Sequence, residues 1–122
     1  MRILKLVKDG EVLSEYIEDA SSFFRRFMGL MYRKSIPEKN GLLLTPCNEI
    51  HTFGMRFDID TVTLSKENVV LNIDRAVKPR KVRKRVEGGY KVLELNSGMA
   101  EKLEIVIGDV LEFIPAERNN KS

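Results

Sequence analysis

Tryptophan and glutamine are absent from this chain of 122 residues, and cysteine and histidine occur once each. A single cysteine, Cys47, excludes an intrachain disulfide and leaves any metal centre short of soft ligands. No run approaches the ~18 consecutive apolar residues of a membrane-spanning helix. The opening segment, MRILKLVKDGEVL, has no long apolar stretch, so no secretory signal is read and a cytoplasmic protein is expected. Scarce Gln and Cys beside abundant Lys and Glu is the compositional lean of hyperthermophile proteins.

What is present suffices for a core. Hydrophobic residues make up 43% of the chain, and a fold of this size buries roughly two-thirds of the surface that the unfolded chain exposes. One domain over residues 1–114 is expected, followed by a polar, flexible tail over 115–122. Charged residues make up 32%, above the ordinary figure of about 25%. Lys and Arg number 21 against 18 Asp and Glu, and the excess is local. Residues 75–86, RAVKPRKVRKRV, hold seven basic side chains and no acid, so the rest of the chain is net acidic.

The periodicities are mostly those of strands. Asp9-Gly10 between two apolar runs predicts a hairpin, because both central positions of that turn need φ > 0. Residues 23–31 place Phe23, Phe24, Phe27, Leu30 and Met31 at helical spacing, which predicts an amphipathic helix. Leu42 to Leu44 reads as a short apolar strand. Met55, Phe57 and Ile59 alternate with Arg56, Asp58 and Asp60 as in a half-buried strand. Val62 and Leu64 take the other phase, which predicts a bulge near Asp60. Further strands are read at 69–73, 90–95 and 110–114, with one helical turn at 98–103. The expected fold is mainly β: a compact sandwich or barrel of short antiparallel strands with one N-terminal amphipathic helix.

Between the helix and the later strands lies a polar segment, residues 47–60. Arg26 with Gly29-Leu30-Met31, then Cys47-Asn48, His51-Thr52-Phe53-Gly54-Met55-Arg56-Phe57 and Ile59-Asp60, resemble the family called domain of unknown function 192. Val92-Leu93-Glu94-Leu95, Gly98 and Gly108-Asp109 agree with it. The resemblance spans roughly residues 11–114 and implies a small, mostly β domain whose site lies in this motif. It implies no activity, since the family has no agreed function. Members often carry an aromatic after the proline at position 79, where this chain has Arg80.

The chemistry of the segment admits several uses. Cys47 and His51 are soft ligands, but on an extended strand four residues span about 13 Å, too far to share a metal; no metal and no cofactor are expected. The same spacing weakens a Cys47–His51 nucleophile pair oriented by Asp58 or Asp60. Asp58 and Asp60, two residues apart on a strand, would lie about 6.6 Å apart, at the lower edge of inverting glycosidase geometry. Arg26 offers bidentate hydrogen bonds to an anionic or hydroxyl-rich group, or else pairs with Asp60. The leading expectation is therefore a binding module, monomeric or homodimeric, with a polar cleft lined by Arg26, Asn48, His51, Thr52 and Asp60. Its ligand would be small and hydroxyl-rich or anionic. The alternatives are a Cys/His- or carboxylate-dependent hydrolase using the same segment, and nucleic-acid binding through residues 75–86. The basic segment has no aromatic of its own for base stacking.

Overall fold

The computed structural model of the chain describes residues 2–21, 30 and 33–116. Its strands are β1 (Ile3–Lys8), β2 (Glu11–Ala20), β3 (Gly41–Leu44), β4 (Ile50–His51), β5 (Ile59–Leu64), β6 (Val70–Val77), β7 (Val82–Arg83), β8 (Lys91–Asn96) and β9 (Glu112–Pro115). One helical turn, α1 (Met99–Lys102), stands between β8 and β9. Asp9 and Gly10 have φ of 50° and 78°, the turn that the Asp-Gly pair predicts. None of the helices among the described residues is long and apolar enough to cross a membrane.

Seven strands form one sheet in the order β6-β5-β8-β3-β2-β1-β9, and β4 pairs with β7 in a separate ribbon. This corrects the expected all-antiparallel sandwich or barrel in two respects. First, β2 and β3 are parallel. The twenty residues between Ala20 and Gly41 are enough for the crossover that parallel neighbours require. Second, the sheet curls without closing into a barrel. Beyond the ends of the edge strands β6 and β9 there is only an isolated bridge between Val69 and Val110, where the Val70 N–H donates to the Asp109 carbonyl at 2.8 Å. The helix expected over residues 23–31, and Arg26 with it, lies outside the described residues except for Leu30, which is buried. Among the described residues α1 is the sole helix.

The curl encloses a first core of Leu4, Leu6, Ile17, Leu43, Val62, Leu64, Leu93 and Leu95, closed by Met99, Leu103 and Ile105 around α1. The other side of the sheet carries a second core of Ala20, Leu42, Leu44, Ile59 and Val92. Ile50 and Met55 pack onto it from the segment that follows Pro46. The central strand β5 is therefore buried at every residue, and the alternation read over 55–60 becomes regular strand only at Ile59. The ladder between β5 and β6 shifts register between Ile59 and Thr61, where the phase change predicts a bulge.

Candidate functional site

A strand covered on both sides has no solvent-facing phase in which to place polar residues. In β5, β8 and β2 the second-core side nevertheless carries Thr61, Thr63, Glu94 and Glu18, all buried. The register aligns them. Asp74 of β6 lies opposite Thr61, Thr61 opposite Glu94, Glu94 opposite Leu42, and Leu42 beside Glu18. The result is a transverse row, Asp74–Thr61–Glu94–Leu42–Glu18, crossing four strand spacings, or about 19 Å. Thr63 stands one step along β5 on the same face.

Each end of the row meets an arginine. At the Glu18 end, Arg33 donates from Nη1 and Nη2 to the two carboxylate oxygens at 2.5 and 2.8 Å, a bidentate pair that raises the Arg33 pKa above its ordinary value. At the Asp74 end stands Arg83, which β7 turns inward while Val82 points out. Arg83 Nε lies 3.4 Å from Asp74 Oδ2, within ion-pair range but not aligned as a hydrogen bond. Its Nη1 donates to the Lys84 carbonyl at 2.7 Å. Burial lowers the Arg83 pKa, opposed by the charges of Asp74, Cys47, Glu49 and Glu94.

Not all of these polar atoms are satisfied. Thr63 Oγ1, Glu94 Oε1, and Nε and Nη2 of Arg83 are buried and have no hydrogen-bond partner among the described residues. Burial pushes the Glu94 carboxyl up to about 7, with Arg33 and Arg83 pulling it back only in part. A buried polar atom left unpaired costs about 1–3 kcal/mol, so a group of them across one sheet face is a place where ordered water or a ligand is accommodated.

The residues singled out in the polar segment have other partners. Asp60 points to the first core and accepts from Ala76 N–H at 2.9 Å and from Gly98 and Ala100 N–H at 3.0 Å. Thr52 accepts from Lys81 N–H at 2.8 Å and donates its hydroxyl to the Lys78 carbonyl at 2.6 Å. Asn48 accepts from Val86 N–H and donates to the Val86 carbonyl, at 2.8 and 2.7 Å. His51 is exposed, its ring 5.6 Å from that of Phe53. The Cys47 thiol donates to the Glu49 carbonyl at 3.2 Å. No group of three or more His, Cys, Asp or Glu among the described residues is placed to hold a metal. Asn48, Thr52 and Asp60 thus bind backbone, at the basic arm and at α1, and the buried row lies beside the segment that was read as the cleft.

A surface groove of about 500 Å³, lined by Asn48, Lys66, Arg85, Val86, Gly89 and Tyr90 among others, borders Thr63 through its Gly89 wall. Gly89 is the contact between the two. A Cβ there would stand 2.5 Å from Asn48 Oδ1 and 2.8 Å from Thr63 Cγ2, so only glycine lets the groove wall approach Thr63. Glu94, Thr63, Asp74 and Arg83 were not singled out from the sequence. The available signal was polar residues in strands otherwise apolar, Glu94 between Leu93 and Leu95 above all. Reading it required knowing that both faces of β8 are covered.

A curled, mixed β-sheet with a buried polar row on its covered outer face defines a class of small, mainly β protein. The chain belongs to the DUF192 family, described as an uncharacterized ACR, whose model matches residues 5–113. It is 31% identical over 117 residues to a UPF0127 protein of Thermococcus kodakarensis, covering 93% of this chain and 74% of that one. It is 28% identical over 116 residues to a UPF0127 protein of Pyrococcus furiosus, covering 91% and 97%. Both organisms are thermophilic archaea, in keeping with the compositional lean. A crystal structure of a protein of unknown function from Novosphingobium aromaticivorans superposes with a TM-score of 0.78 at 21% identity, covering 90% of this chain and 83% of that one. That likeness concerns the fold alone.

Proposed function

We propose that the protein is a small-ligand binding module and that its ligand is hydroxyl-rich. The observation that carries this is the set of buried, unpartnered polar atoms on Thr63, Arg83 and Glu94. The donor and acceptor inventory selects the ligand chemistry. Arg83 can only donate, an ionised carboxylate can only accept, and a protonated Glu94 can do both. A hydroxyl both donates and accepts, so neighbouring hydroxyls satisfy all three side chains. The same inventory argues against the anionic branch of the sequence reading, because Asp74 and Glu94 set two carboxyl groups against one guanidinium at that end of the row. It also favours binding over hydrolysis through Asp60, since that carboxylate is saturated by backbone donors.

The test is calorimetric titration and thermal shift with free monosaccharides and linear polyols, alongside carboxylic acids of matched size. At least one polyhydroxyl compound is expected to bind while its carboxylate counterpart does not. Glu94→Gln, which cannot both donate and accept in the same way at one atom, should weaken that binding about tenfold. Binding confined to the carboxylates, or binding indifferent to Glu94→Gln, would overturn the reading.

A further inference from the structure

The sequence shows a basic arm with no aromatic in it, and the structure supplies the aromatics from elsewhere in the chain. The β4–β7 ribbon pairs His51 with Val82. Its inward residues, Ile50 and Arg83, are buried, and its outward residues, His51 and Val82, are exposed. Beside them Phe53 is 48% exposed and Val82 62%, far above what a core former shows. The rings of His51 and Phe53 lie 5.6 Å apart at 37°. Around this apolar and aromatic patch the chain carries Arg75, Arg80, Lys81, Lys84 and Arg85, all exposed. None of these five forms an ion pair with a described residue, whereas Lys78 pairs with Asp58 at 2.6 Å and Arg83 is turned inward. Exposed acids flank the two ribbon segments in sequence, Glu49 before β4 and Glu87 after the arm.

The arm is also held in place. Thr52 binds it through its N–H to the Lys81 carbonyl at 2.8 Å, through its carbonyl to Arg80 N–H at 3.1 Å, and through its hydroxyl to Lys78 and Lys81. Asn48 clasps Val86 from both sides of its amide. A charge run of this length would ordinarily be a solvated loop. Here two motif side chains fix its backbone against the ribbon that presents the rings, so the cations are presented in a set arrangement without the ordering cost a free loop would pay on binding.

From this juxtaposition we infer that the outward side of the β4–β7 ribbon is a binding platform for single-stranded nucleic acid. Bases stack on His51 and Phe53, and the phosphates lie along Arg80, Lys81, Lys84 and Arg85. Unpaired cations supply charge complementarity to phosphate, and exposed rings supply a surface for which only an unpaired base has a free face. A duplex, its bases already stacked, would use the cations and leave the rings idle. Thr52 and Asn48 are positioning residues for the arm and touch no base. This platform is separate from the buried row, on the other side of the ribbon, so Glu94→Gln leaves it intact.

The absence of tryptophan makes the test direct. Phe53→Trp, at an exposed position, gives the protein one indole, placed on the platform. Quenching of its emission by oligothymidine and oligouridine, with no quenching by duplex DNA at equal phosphate concentration, is the expected result. Affinity should fall with salt at a log–log slope of about −2 to −3, given about 0.7 per phosphate neutralised on a single strand. Lys84→Ser with Arg85→Ser should flatten that slope by about 1. Phe53→Ala should weaken single-strand binding about tenfold. Thr52→Val should weaken it too, and Thr52→Ser, which keeps the hydroxyl, should restore it. The inference is overturned if duplex binds as well as single strand and Phe53→Ala changes neither. It is equally overturned if oligonucleotides leave the indole unchanged, whether or not vesicles of anionic lipid shift its emission to the blue.

Discussion

Asp60 and Glu94 are acids sealed in neighbouring strands at adjacent register positions, exposed by 0% and 4%, and they face opposite sides of the sheet. Asp60, on the first-core side, accepts three backbone N–H groups, which join β5 to β6 and to the start of α1. Glu94, on the second-core side, has charged neighbours in Arg33 and Arg83, and its Oε1 has no hydrogen-bond partner among the described residues. Burial is the same for both, and satisfaction is what separates them. A saturated carboxylate holds the fold together, while an unsaturated one lowers stability and is retained for what it contacts.

The largest expected effect breaks the satisfied side of this pair. Asp60→Ala removes the shared acceptor of three backbone donors, of which the Ala100 N–H is buried, and should cost about 3 kcal/mol of unfolding free energy, given about 1.5–3 kcal/mol for a hydrogen bond to a charged group, incomplete additivity and the part-exposed Ala76 and Gly98. Urea unfolding of the variant beside the parent protein measures it. A loss below about 1 kcal/mol would mean that β6 and α1 are held by packing alone and that the contrast with Glu94 is not one of satisfaction.

The next effect is on Glu94 and depends on pH. Burial raises its carboxyl from an ordinary 4.5 to about 7. Above pH 4.5 the unfolded chain gives up this proton while the folded chain keeps it to about 7. The stability associated with protonated Glu94 is therefore complete below the lower value and is lost as pH rises through the upper one. The loss amounts to about 3 kcal/mol at 1.36 kcal/mol per unit. Glu94→Gln carries no proton to lose. Its unfolding free energy should match the parent's to within about 1 kcal/mol at acid pH and exceed it by about 3 kcal/mol at mildly alkaline pH. Curves that stay parallel across this range would mean that the Glu94 carboxylate is stabilised where it lies, and the proposed ligand would lose its central partner.

The two acids also show how far the sequence carries. Asp60 was legible: it stands in a motif, at a phase change that predicts the observed bulge. The Asp9-Gly10 hairpin, the turn at Gly98 and most of the strands were legible for the same reason, since local turn chemistry and period-2 alternation are properties of a few consecutive residues. Glu94 was passed over, because its meaning depends on Thr61 and Leu42 lying on either side of it, and strand order is not a local property. The parallel step from β2 to β3 was missed likewise, and with it the face on which the polar row assembles. The sequence places Thr52 and Asn48 in a ligand cleft, whereas the partners they meet in the fold are the backbone of Lys81 and Val86, 29 and 38 residues away.

The smallest and most discriminating comparison uses two threonines. Both Thr52 and Thr63 are buried, at 1% and 0% exposure. The Thr52 hydroxyl bridges Lys78 and Lys81, whereas the Thr63 hydroxyl has no hydrogen-bond partner among the described residues. Replacement by valine removes the hydroxyl and keeps the shape. Thr52→Val takes this partner from the part-buried Lys81 N–H and Lys78 carbonyl and should cost about 1–2 kcal/mol. Thr63→Val removes the only unpaired atom at its position, so it should be neutral or stabilising by up to about 1 kcal/mol. The same substitution should weaken the binding of a hydroxyl-rich ligand. A residue whose replacement stabilises the empty protein and weakens the loaded one is kept for its ligand. If Thr63→Val instead destabilises the protein as much as Thr52→Val does, ordered water already satisfies the Thr63 hydroxyl, and the row is a hydrated seam of the sheet.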